Sequence, residues 1–152
     1  MKFNYLVLSA TAILGFSSVS GLLLNQSSAH ADTMMMKKSS GSFVAAEHPT
    51  KGTARIVTEN GKRYLEFDRA FKSDQGPDLY VILHRAAAVP KGGLKEQDYV
   101  TLSRLQKVSG TQRYAIPKNL DLANYRSVAI WCRMFNATFG YAPLPSSAQA
   151  AR

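Results

Sequence analysis

Cysteine and histidine are almost missing from this 152-residue chain: Cys132 stands alone, and the three histidines, His30, His48 and His84, lie far apart. That supply excludes a structural zinc site, which takes four such ligands, usually at paired spacings. It also excludes an intramolecular disulfide, which needs two thiols. The phosphate-cradling glycine loops, the Gly-x-Ser-x-Gly elbow and the Cys-x-x-Cys-His haem attachment motif are missing as well. Asp68, Asp74 and Asp78 lack the alternation of a calcium loop and read as solvated turn residues. Helical periodicity is nearly absent. The formal charge is +9, but the cations stand singly among acidic residues, with only Lys37-Lys38 and Lys62-Arg63 adjacent. No basic stripe for phosphates results, so the reading excludes nucleic acid as a partner and takes the charge as a solvated surface.

The amino terminus is what an exported protein shows. Lys2 precedes an uncharged stretch in which Tyr5 to Gly15 and Gly21 to Leu24 are mostly apolar, and no further charge appears before Asp32. Ala29-His30-Ala31 offers small residues at the two positions a signal peptidase accommodates. Ser17, Ser18, Ser20 and Gly21 interrupt the apolar run, leaving it short of the ~20 residues of a membrane anchor. The expectation is therefore a signal peptide at 1–31, a secreted or periplasmic product beginning at Asp32, and membrane contact only before cleavage. Removing 31 of 152 residues leaves 121, enough for one core, and removing Lys2 takes the charge from +9 to +8. A flexible tether at 32–40 follows, in which the adjacent Met34, Met35 and Met36 point in different directions and make no metal site. A β domain at 41–145 and a tail at 146–152 complete the chain.

From Gly41 onward short period-2 segments alternate with Gly, Pro and Asn, the pattern of an all-β domain. Strands are expected at 42–46, 53–58, 63–67, 79–84, 99–105, 112–116, 127–134 and 136–141. Asn60-Gly61 predicts a tight hairpin turn. Leu79 to His84 is apolar on both faces and belongs in the middle of a layered structure. The segment from Ala86 to Asp98 is the longest loop, a natural place for binding. Seven or eight strands predict an antiparallel two-sheet sandwich or flattened barrel.

Cys132 is the most informative residue. An odd cysteine in an exported protein is a free thiol, an intermolecular partner or a ligand. It also shares a strand face with Val128, Ile130 and Met134, where a buried cysteine behaves as a small hydrophobe. Arg133 is adjacent in sequence and Arg126 lies on the same strand face, and a neighbouring cation favours the reactive thiolate. Trp131 and Phe135 bracket the position with aromatic surface suited to a flat cofactor or a partner.

Five blocks in order carry a family resemblance. These are Gly41-x-Phe43 with His48 and Gly52; Gly76-Pro77-Asp78-Leu79-Tyr80-Val81; Gly110-x-Gln112-x-Tyr114-x-Ile116-Pro117; Tyr125-x-Ser127-Val128-x-Ile130-Trp131-Cys132-x-x-Phe135; and Phe139-Gly140-x-Ala142-x-Leu144. From Gly41 to Leu144 the chain resembles the electron-transfer domain family called DM-thirteen. The resemblance implies a β-rich extracytoplasmic domain that takes part in electron transfer or oxidative modification, with Cys132 as the redox centre, either as a naked thiol or holding a prosthetic group such as haem. Animal members stand beside DOMON-type cytochrome domains, whereas this chain is expected to be a single domain that meets a separate redox partner protein. If haem or a metal is bound, His84, His48 and Met134 are the candidate axial ligands, with Trp131 against the group; His84 also reads as a strand-end residue and His48 as a turn residue. The competing reading is a non-catalytic binding module for an envelope or extracellular partner, with Cys132 as plain core.

Overall fold

Positive φ at both Asn60 (50°) and Gly61 (72°) closes the tight hairpin that the Asn-Gly pair predicts. The structure, a computed structural model, describes residues 40–145. The expected leader, all of the expected tether but Ser40, and the expected tail lie outside the described residues.

Eleven strands are formed: β1 (Ser40–Ser42), β2 (Val44–Ala45), β3 (Thr50–Lys51), β4 (Thr53–Glu59), β5 (Lys62–Phe67), β6 (Lys72–Ser73), β7 (Leu79–His84), β8 (Tyr99–Arg104), β9 (Gln112–Ile116), β10 (Ser127–Cys132) and β11 (Ala137–Pro143). Single 3-10 turns at Glu96–Asp98 and Leu122–Asn124 are the helical content of the described residues. One sheet has the order β1-β4-β5-β9, the second β2-β11-β10-β7-β8, and β3-β6 forms a small third ladder. All pairs are antiparallel. The sheets stay open, so the flattened barrel is not formed and the sandwich is.

The core between the sheets takes Leu65, Phe67, Tyr114 and Ile116 from the first sheet and Leu79, Val81, Leu83, Val128, Ile130 and Cys132 from the second. The second sheet is also covered on its other face, where Val89 and Leu94 of the long loop pack over Ile82, Ala129 and Trp131. That double cover explains why β7 is apolar on both faces and why every residue of β10 is buried. The expected strand at 127–134 stops at Cys132, because Arg133 to Asn136 form the turn into β11. The expected strand at 42–46 is split into β1 and β2, which pair with β4 of the first sheet and β11 of the second.

Candidate functional site

Four segments meet at the β10–β11 turn and enclose an open cleft of about 500 Å³, within the usual range for small-molecule sites. They are Glu47 and His48 ahead of β3, Gln75 to Pro77 ahead of β7, Lys91 to Gly93 of the long loop, and Phe135 to Ala137 of the turn, with Phe139 beneath.

The turn is fixed by Asn136, which sits at φ 46°, a left-handed conformation that Asn tolerates better than most residues. Its Oδ1 accepts from the indole N–H of Trp131 (3.0 Å) and from the Leu94 N–H (3.0 Å), and its Nδ2 donates to the Leu94 carbonyl (3.2 Å). Its own carbonyl accepts from the Gly93 N–H at 3.1 Å. Thr138 adds two bonds to the loop, its N–H donating to the Lys91 carbonyl (2.7 Å) and its hydroxyl to the Pro90 carbonyl (2.6 Å). The long loop is thus tied to the hairpin.

The pairing of β10 with β11 steps from Ile130↔Gly140 to Trp131↔Thr138, which leaves Phe139 as the extra residue of a bulge. Bulges re-aim side chains, and here the Phe139 ring stacks on the His48 ring with centroids 3.8 Å apart. Gly76 permits that packing: a Cβ there would stand 2.9 Å from both Leu79 and Phe139 side-chain carbons. His48 Nδ1 meets Asp74 Oδ2 at 3.1 Å, with the two side chains 41% and 48% exposed.

Cys132 lies directly behind this cleft. Its strand partners are Ala137, which lines the cleft, and Leu79, which packs against Gly76. The thiol itself is wholly buried in the inter-sheet core with Val128 and Ile130. Met134 does not continue that face; it lies in the turn and is 63% exposed. Trp131 is on the opposite face of the sheet, its ring 5.0 Å from that of Tyr99, and Phe135 is 67% exposed on the cleft rim.

The cations expected beside the thiol are engaged elsewhere. Arg133 Nε donates to Asp78 Oδ2 at 3.0 Å and its guanidinium lies 4.7 Å from the Tyr80 ring centre. Arg104 makes the matching pair of contacts, bonding Asp78 Oδ1 and the Tyr80 hydroxyl. Burial alone would raise the Asp78 pKa, but the bonds from Arg104 and Arg133 hold it below the ordinary carboxylate value. Arg126 precedes Ser127 at the far end of β10, where its N–H donates to the His84 carbonyl.

His84 is at that far end too. Ser127 pairs with His84 and Cys132 with Leu79, so the two candidate ligands are separated by about 16 Å of strand and face opposite sides of the sheet. His84 is 4% exposed. Its Nδ1 accepts from the Ala86 N–H at 3.0 Å, pinning the start of the long loop, and burial lowers its pKa. Cys132 and His84 therefore share no ligand sphere. Among the described residues no group of three or more His, Cys, Asp or Glu side chains is gathered for a metal. Haem held jointly by Cys132 and His84 does not fit this arrangement.

Sequence reasoning singled out His48 but missed Asp74, 26 residues away, and missed the Asp78, Tyr80, Arg104 and Arg133 cluster, whose members only the β7–β8 and β7–β10 pairings bring together. Asn136 carried a signal, since Asn is a common left-handed turn residue.

The family model described as Electron transfer DM13 matches residues 42–144, and the chain belongs to that family. No curated protein and no solved structure matches it.

Proposed function

We propose, from membership of the electron transfer DM13 family, that this chain is an exported single-domain redox protein whose working atom is the Cys132 sulfur, reached through the cleft at the β10–β11 turn. The observation that carries the reading is that the sole thiol stands one residue behind the cleft wall, against Ala137 and Leu79. A wholly buried sulfur is reached when that wall yields, which favours a small oxidant over direct docking of a protein disulfide. With a peroxide, sulfur takes one oxygen atom: an S–O bond forms, the O–O bond breaks, sulfur gives up two electrons, and the peroxide leaves as water or an alcohol. Two electrons and two protons, supplied by a redox partner protein and carried into the cleft by a small reductant, would then restore the thiol and release the oxygen as water. Because Cys132 and His84 do not converge, the thiol acts without haem in this reading.

Three measurements on natively exported protein test it. Amino-terminal sequencing should begin at Asp32, and recovery of Met1 from a membrane fraction would refute export. The visible spectrum should show no intense band. Mass spectrometry after peroxide treatment in the folded state should show one oxygen added at Cys132; oxidation only after unfolding would sink the redox reading and leave Cys132 as plain core.

A further inference from the structure

The walls of the cleft have a chemistry of their own. The His48 ring lies flat against Phe139, and the Phe135 ring of the same cleft is 67% exposed although it is one of the largest apolar side chains of the chain. Gly76, Pro77 and Gly92 also line the cleft and bring backbone rather than long side chains to it. His48 Nδ1 is taken by Asp74, while its Nε2 has no partner among the described residues. Such pairing fixes the ring and presents the other nitrogen for a proton.

An open cleft with an exposed aromatic ring on its rim and an imidazole nitrogen left over by Asp74 suits a flat ring that carries a hydroxyl. Saturated rings have no π face to stack, and an anionic ligand would meet Glu47 at the rim as well as Lys91. We infer that the cleft binds a neutral hydroxyaromatic small molecule of the phenol or catechol class, stacked beside Phe135 and hydrogen-bonded from its hydroxyl to His48 Nε2. This names the ligand of the site proposed above and takes its biological sense from that redox reading, since catechols are two-electron reductants. Binding itself does not require the thiol.

The test uses 2,3-dihydroxynaphthalene as probe, followed by calorimetry and by amide chemical shifts in the full exported protein. Wild type and Cys132→Ser should bind it alike, with shifts at Gly76, Gly92 and Ala137. Phe135→Ala, at an exposed position that leaves folding intact, should weaken binding roughly tenfold, the scale of one lost aromatic pair. His48→Gln should weaken it as well, and cis-1,2-cyclohexanediol should not bind. No binding by the wild type, or equal binding by wild type and Phe135→Ala, would overturn the inference. Binding that behaves as expected in a protein whose Cys132 resists peroxide would instead overturn the redox reading and leave the ligand site standing.

Discussion

The buried Cys132 sulfur meets a demand of packing and, in the function proposed above, one of reactivity. The strand alternation in the sequence already put it on one face with Val128 and Ile130, and that face is the inter-sheet core. What the sequence could not reveal is where the neighbouring cations go, because Arg133 is drawn to Asp78 and Tyr80 by the pairing of β10 with β7 and Arg126 lies at the opposite end of the strand. The environment of the sulfur is therefore apolar. Replacing it by a hydroxyl in Cys132→Ser leaves a polar group without a guaranteed partner among Leu79, Val128 and Ile130, which costs about 1 to 3 kcal/mol. Urea titration of the variant should show that loss with an unchanged slope. A variant as stable as the wild type would mean that the site is more open than its complete burial implies.

Among the elements, the long loop and the β10–β11 turn behave as one unit. The loop at 86–98 and the strands on either side of it were legible from Pro90, Gly92 and Gly93 and from the alternation in 79–84 and 99–105. The two-residue strands β3 and β6 were not, since a ladder of two pairs leaves no period to read. Nor was the bulge at Phe139, which depends on a register shift between strands rather than on any residue pattern. Asn136 joins the two segments through two side-chain bonds to Leu94, holds the Trp131 indole with a third, and has a left-handed backbone. Asn136→Ala removes all three bonds, strands the indole N–H of Trp131 and strains the turn, for a loss of about 2 to 4 kcal/mol. Asn136→Gly, which keeps the backbone at ease, should cost less. Hydrogen exchange of Gly93 and Leu94 should accelerate in both variants, and protection retained at those amides would show that Thr138 alone holds the loop.

Across the whole molecule the titrating groups with shifted pKa values place the most stable range near neutrality. His84 is held below its ordinary 6.5 first by burial, only partly offset by Asp98. The unfolded chain then binds more protons at this residue, so its contribution is complete above pH 6.5 and is shed as the pH falls below that value. Arg85, Lys95 and Asp98 line the same recess as His84, and Tyr99 is opposite it in β8. Glu66 would be raised by burial, but bonds from Arg113 and Arg55 bring it below 4.5, and Asp78 is likewise below 3.8, so both add further losses in stronger acid. Tyr114 works in the other direction: burial pushes it up to about 12, against a weaker opposing effect of the Gln106 amide, so its contribution holds below pH 10 and is lost as the pH climbs through 12. The denaturation midpoint should therefore fall on both sides of neutrality, and the first acid loss, between pH 7 and 5, belongs to His84. His84→Gln removes that proton-binding step while keeping a polar group at the position. Urea midpoints measured at pH 7, 6 and 5 should drop less steeply for His84→Gln than for wild type. Parallel curves would show that the start of the long loop is not held by a neutral imidazole.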